Sequence, residues 1–317
     1  MIYKSILLKN IIILSLNLIY ILIYKKGNLY VFCQCCIKKQ FEGCFRCTSD
    51  ILLKSIKIHS IKETLKEIIA NRASIARFGD GEFNLIFGND IKFQKFNKTL
   101  KDKLLNILNS NIPNLLVGII QLYNNTSPFW VEWVENNKFK IAKIINKNKT
   151  YYNAAITRFY FRNSNKTEIK HYIYDFKKIW NNRNILTIEG KKTRLGIGND
   201  LFNNAKSIKR IICPEENSFN VYGKILNYIE TMKIDKKVLI LISLGPTATV
   251  LTYELFKLGN QIIDFGHFDI QYEYYLRNAS KAIRIPNKYV NEVSKGSFNI
   301  TPVFDQNYYK QIINIIE

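Results

Sequence analysis

The chain of 317 residues carries 47 Lys and Arg against 25 Asp and Glu, a formal net charge of +22, with 47% apolar and 23% charged residues. That composition excludes a disordered or fibrous chain and suits one large domain or two small ones. The cationic excess asks for an anionic partner, but it is spread along the chain with no basic run, zinc finger or RNA-binding signature, so no nucleic-acid partner is expected.

Residues 10–24, NIIILSLNLIYILIY, form an apolar run. With Ile6, Leu7 and Leu8 it approaches the roughly 20 residues of a bilayer span, broken by Lys9. Lys25 and Lys26 follow where a small-residue cleavage site would stand. Residues 1–26 are therefore expected to be a hydrophobic anchor or interfacial helix that associates the chain with a membrane; a cleaved signal core is the other reading. Lys25, Lys26, Lys38, Lys39 and Arg46 on its far side favour a cytoplasmic body. Residues 27–57 form a Cys-rich linker. Cys33, Cys35, Cys36, Cys44 and Cys47 crowd there, and Cys44-x-x-Cys47 is half a zinc site by spacing. A free, lipidated or disulfide-bonded cluster is equally open. Cys213 reads as a buried apolar residue.

From residue 58 to 317 the pattern is one of alternating helices and short apolar runs. Helical spacing appears over 61–73, 99–111, 128–148, 167–182, 221–232 and 247–259. Between these lie SIARFG (74–79), LLVGII (115–120), NILTIEG (184–190), SIKRIICP (207–214), VLILISLG (238–245) and QIIDFG (261–266). Runs of this kind suit strands buried on both faces, so the expected fold is α/β, a Rossmann-like and mostly parallel sheet with helices on both sides. Ligands on such sheets sit beyond the carboxyl ends of the strands, which makes four loops the candidates.

The first is Arg77-Phe78-Gly79-Asp80-Gly81-Glu82. Two carboxylates one residue apart in a glycine setting can hold a hard divalent cation that bridges a diphosphate, with Arg77 on a phosphate oxygen. The same acids can simply cap the following helix. The second runs from Glu189 to Asp200 with Gly190, Gly196, Gly198, Lys191, Lys192 and Arg194, a composition suited to phosphate; it is neither a Walker A loop nor a dinucleotide fingerprint. A flexible basic loop is its plain reading. The third, Ser243 to Thr249, starts a helix at Gly245-Pro246-Thr247 and offers free N–H groups to an anion. The fourth places His267 beside Asp264, Asp269 and Glu273, where a carboxylate can act as general base.

ARFGDGEFNLIFG with IKFQKF, TIEGKKTRLGIGNDLFNNAKSIKRIICP, ISLGPTATVLTYELFKLGNQIIDFGHFDIQYEYYL and KYVNEV together resemble the GT-D type glycosyltransferases, in order, over about residues 58–295. The resemblance implies a Rossmann-like glycosyltransferase that uses a nucleotide-sugar donor, typically UDP-linked, and Mn²⁺ or Mg²⁺ held through an Asp-x-Glu motif. On this chain that motif is Asp80-Gly81-Glu82, with His267 as a third candidate ligand. The nucleotide is expected among Arg77, Gly79, Gly190, Arg194, Gly196, Asn199, Asp200, Gly245 and Thr247. Asp269, with Glu273 in reserve, is the expected proton acceptor toward a glycan, glycolipid or glycoprotein acceptor. A non-catalytic nucleotide- or phosphate-binding protein at the membrane is the alternative.

Overall fold

The computed structural model describes residues 11–15, 18–25, 28–33, 50–124, 127–161, 165–293 and 300–317, the first three stretches as backbone only. The chain divides into two compact units, one of residues 1–57 and 121–149 and one of residues 58–120 and 150–317. In the first unit Ile11–Ser15 (β1), Leu18–Lys25 (β2) and Asn28–Cys33 (β3) form an antiparallel meander, Ile13 pairing with Tyr20 and Ile21 with Phe32. Where the anchor helix is expected, the described backbone is therefore extended. Six isoleucines and two tyrosines in residues 10–24 favour that choice, because β-branched and aromatic side chains pack well on a pleated surface. No helix among the described residues is long and apolar enough to cross a membrane. Cys35, Cys36, Cys44 and Cys47, and the zinc site considered for them, lie outside the described residues.

The remaining elements follow in chain order. Ile61–Asn71 (α1) starts with a capping box, in which Ser60 Oγ accepts the Glu63 N–H at 3.1 Å and Glu63 Oε2 accepts the Ser60 N–H at 2.7 Å. Ser74–Phe78 (β4), Asp80–Ile86 (α2), Lys98–Asn109 (α3) and Leu115–Ile119 (β5) come next. Pro128–Ile144 (α4) belongs to the smaller unit. The larger unit resumes with Tyr152–Asn153 (β6), Lys166–Lys177 (α5), Asn184–Gly190 (β7), Ser207–Cys213 (β8) and Tyr222–Thr231 (α6). Leu239–Ser243 (β9), Pro246–Phe256 (α7), Gln261–Asp264 (β10), Phe268–Leu276 (α8), Gln306–Gln311 (α9) and Ile312–Ile315 (β11) complete it.

The eight strands β4 to β11 form one sheet in the order β11-β8-β7-β9-β10-β4-β5-β6, and every pairing in it is parallel. Every residue of β5, β9 and β10 is buried, as strands covered on both faces require. The chain enters the sheet in the middle at β4, leaves through β5 and β6 to one edge, and returns on the other side of β4 through β7 to β10. The two halves meet where β4 lies beside β10, a switch point beyond whose strand ends sheets of this kind bind their ligands. Beneath it, Phe176, Trp180, Phe202, Phe265 and Phe268 pack ring on ring, Phe176 and Phe268 at 4.1 Å between centroids. Phe265 and Phe268 flank Gly266 and His267, so this aromatic core fixes the loop after β10.

Candidate active site

At the switch point β4 and β10 are clamped together. Arg77 Nη2 meets Asp264 Oδ1 at 2.9 Å, Nε donates to Asp264 O at 2.7 Å, and Nη1 donates to Ala154 O at 3.1 Å. Thr249 Oγ1 on α7 donates to Arg77 O at 2.9 Å, adding a third element. Burial raises the Asp264 carboxyl above its ordinary range, and the Arg77 guanidinium pulls it back. Gly266 completes the clamp with a φ of +47°, where an added Cβ would lie 1.8 Å from Arg77 Nη2. Arg77 is therefore committed to Asp264 and Ala154, not left open for the phosphate it was expected to meet.

Asp80 and Glu82 occupy the first turn of α2, immediately beyond β4. Glu82 Oε2 reaches back to accept the Gly79 N–H at 2.6 Å, so this acid does the capping that the sequence allowed. Burial, with the Asp264 and Asp80 charges close by, pushes the Glu82 carboxyl up to about 7. Three acids in one corner repel one another, and a cation relieves that repulsion. No group of three His, Cys, Asp or Glu among the described residues could hold a metal by itself. His267 does not join the acids: Arg158 Nη2 lies 3.2 Å from its Nδ1 and 3.4 Å from its Nε2. Two carboxylates without a protein cage fit Mg²⁺ or Mn²⁺ bound together with substrate phosphates, and do not fit a preformed three-residue site.

The basic loop is anchored rather than open. Glu189, fully buried at the end of β7, takes Arg210 Nη1 at 2.6 Å, Thr187 Oγ1 at 2.8 Å and the Leu195 N–H at 2.6 Å. Lys192 pairs with Glu215 at 2.8 Å. Arg194 Nη1 donates to the carbonyls of Asn287 and Thr301 at 2.8 and 2.7 Å. Gly190 closes the turn by accepting the Thr193 N–H at 2.8 Å. Gly196 has φ +70°, and a Cβ there would meet the Phe202 ring at 2.5 Å. Of the three cations read as phosphate ligands, two are thus engaged inside the protein.

The third loop is the better anion site. Gly245, at φ +53°, lets the backbone pass the Phe93 ring, which a Cβ would meet at 2.7 Å. Pro246, which has no N–H, starts the 11-residue α7 directly, and the Ala248 N–H donates to Gly245 O at 2.9 Å, so the first turn offers an anion the Thr247 N–H and the helix dipole. Thr247, in that first turn, is fully buried, and its Oγ1 has no hydrogen-bond partner.

Asp269 and Glu273 both face Lys288. Lys288 Nζ donates to Asp269 Oδ2 at 2.6 Å and to Glu273 Oε1 at 3.1 Å, while Asn199 Nδ2 donates to Asp269 Oδ1 at 2.9 Å and Glu273 Oε1 at 2.7 Å. All three charged residues are at most 2% exposed. Asp269, the expected proton acceptor, thus has both oxygens engaged and is a partner in a buried ion-pair network. Asp200 is likewise held, its Oδ1 accepting Tyr272 OH at 2.7 Å. Beside this network, Glu292 Oε1 accepts Arg158 Nη1 at 2.6 Å and lies 3.7 Å from His267 Nε2. Burial and the Arg158 charge push His267 down to about 3, so the ring is neutral. Arg158, Lys288 and Glu292 received no role from the sequence. Lys288 and Glu292 lie in KYVNEV, where only the order of charged residues could have flagged them.

A family model described as glycosyltransferase GT-D fold matches residues 75–293. The chain is 32% identical over 277 residues to glycosyltransferase GlyD of Streptococcus pneumoniae serotype 4, a match covering 84% of this chain and 34% of that one. It is 32% identical over 268 residues to a probable glycosyl transferase Gly of Streptococcus gordonii, covering 82% and 39%. This chain therefore spans little more than a third of the length of those curated relatives. A solved structure of domain of unknown function 1792, described as having a distinct glycosyltransferase fold, superposes with a TM-score of 0.79 at 34% identity, covering 86% of this chain and all of that one.

Proposed function

The chain belongs to the GT-D-fold glycosyltransferase family, and on that premise we propose that it transfers a sugar from a UDP-linked donor to a hydroxyl of a glycan, glycolipid or glycoprotein. The observation that carries this reading is the Asp80–Glu82 pair at the β4–α2 elbow, whose crowded charge suits a divalent cation carried in with a diphosphate. Bound there, Mn²⁺ or Mg²⁺ supplies charge stabilisation for the departing nucleoside diphosphate. The positive end of the α7 dipole, at Pro246 and Thr247, faces the same phosphates. Arg77, Asp264 and Gly266 do not touch the donor; they set the distance between the β4 and β10 loops. On the acceptor side, Glu292, its side chain 24% exposed and one oxygen held by Arg158, is a more accessible carboxylate than Asp269 for the proton-accepting place.

The test is a panel of UDP-, GDP- and dTDP-sugars with Mn²⁺, scored for slow hydrolysis, which needs no known acceptor. UDP-sugar hydrolysis that EDTA removes and Asp80→Asn abolishes is the expected result. UDP binding without hydrolysis or transfer from any donor, with the N-terminal segment intact, supports the non-catalytic alternative instead.

A further inference from the structure

The smaller unit, residues 1–57 and 121–149, holds fourteen Lys and Arg against four Asp and Glu, a net of +10, whereas the larger unit has +12 on more than twice as many residues. The excess charge per residue is thus more than twice as dense in the smaller unit. The same unit exposes apolar rings. On α4, Phe129 is 55% exposed, and Trp130 and Trp133 are partly exposed beside it. These rings touch one another edge to face, Phe129 to Trp130 at 5.1 Å and Trp130 to Trp133 at 6.1 Å between centroids.

Helical periodicity places Phe129, Trp130, Trp133, Asn137, Lys140 and Ile144 within one sector of roughly 100°. The adjoining sector holds the buried Val134, Lys138 and Ile141. Of the helix's two acids, Glu135 falls on the far side, and Glu132 lies about 60° outside the sector, next to Lys143. Exposed Lys140, Lys143 and Lys147 continue the face toward the C-terminal end. A sector of aromatic rings and lysine, bordered by a single acid, has the chemistry of a helix lying in a membrane interface, where indole rings sit at headgroup level and ammonium groups meet anionic lipid. Other occupants fit less well. A neutral glycan would use the rings and leave the charge unmatched, and a second copy would set +10 against +10.

We propose that this face of α4 docks the protein on an anionic bilayer surface, independently of the apolar run at residues 10–24. The three tryptophans make the idea testable in the full chain, because Trp180 is fully buried in the larger unit and only Trp130 and Trp133 can report a surface event. The protein is mixed with vesicles of 30% phosphatidylglycerol in phosphatidylcholine, or of phosphatidylcholine alone, with brominated lipid as quencher. Expected are co-sedimentation with the anionic vesicles only, a blue shift and quenching of tryptophan emission, and a weaker effect at high salt. Trp130→Ser/Trp133→Ser, followed by sedimentation, lowers the partition coefficient by about tenfold or more while soluble UDP-sugar hydrolysis and far-UV circular dichroism stay unchanged. Lys140→Glu/Lys143→Glu/Lys147→Glu weakens binding with the tryptophans intact. Vesicle binding with unchanged emission and quenching would overturn the proposal, since another segment then does the docking. So would the absence of vesicle binding, with the rings shielded instead by an oligosaccharide or by self-association in light scattering.

Discussion

Gly266→Ala adds a methyl against the Arg77–Asp264 clamp. The new Cβ lies 1.8 Å from Arg77 Nη2 and 2.9 Å from Cζ, on a backbone with φ +47°. The backbone alone costs an L-residue roughly 1–2 kcal/mol. The guanidinium has no easy retreat: its side chain is 13% exposed and three of its nitrogens are held by Asp264 and Ala154. Displacing it leaves a buried carboxylate without its cation, a loss of about 3–5 kcal/mol. The sum, roughly 4–7 kcal/mol, is a large part of the roughly 5–15 kcal/mol that holds an ordinary domain folded. Urea unfolding followed by circular dichroism measures it. Gly223→Ala is the control, since a Cβ there meets nothing within 4 Å and α6 gains up to about 1 kcal/mol. The Arg77→Ala/Gly266→Ala double variant should lose less than the two single losses combined, because the first change removes the atoms the second collides with. A Gly266→Ala protein with the wild-type midpoint, or strict additivity in the double variant, refutes the clamp.

Three further outcomes follow from the site. Glu82 has a folded-state proton affinity near pH 7 against an ordinary 4.5, so the folded chain holds that proton longer and this group's stability contribution falls as pH rises from 4.5 to about 7. Glu82→Gln keeps an acceptor for the Gly79 N–H and removes the slope, gaining on the wild type by up to about 1.4 kcal/mol per pH unit across that window in pH-dependent urea melts; parallel curves contradict this. Lys288→Ala leaves Asp269 and Glu273 buried against each other and should cost about 3–5 kcal/mol, while Lys288→Met/Asp269→Asn/Glu273→Gln recovers much of it in thermal melts. His267, pushed down to about 3, should show no titration of its ring protons by NMR between pH 8 and 5. Because the unfolded chain takes up that proton first, stability from this group is lost as pH falls from about 6.5 toward 3; a ring midpoint near 6.5 refutes the assignment.

The strands of the sheet were legible because strands covered on both faces are plain apolar runs, and β4, β5 and β7 to β10 fall on six such runs. Two-residue β6 and edge strand β11 lack that signature. The run at residues 10–24 shows the limit of hydropathy: its length suggests a helix, and its isoleucine content suits strands. Within the site, Asp80-Gly81-Glu82 was visible because both acids and their glycines are neighbours in the chain. The Arg77–Asp264 pair was not, because a cation and a carboxylate far apart in sequence leave no local pattern. Lys192 and Arg194 were overread for the same reason. Composition marks them as phosphate ligands, and only the fold reveals that Glu215 and two distant carbonyls already hold them.

The neighbour relation of β4 and β10 also has a temporal side. Asp264 follows Arg77 by 187 residues, so at ordinary synthesis rates of about 5–20 residues per second the guanidinium emerges from the ribosome roughly 10–40 s before its carboxylate. Through that interval β4 has β5 as a neighbour and nothing on its other edge, an unpaired apolar strand of the kind that recruits chaperones or stray partners. Slow codons placed after residue 120 would lengthen that exposure.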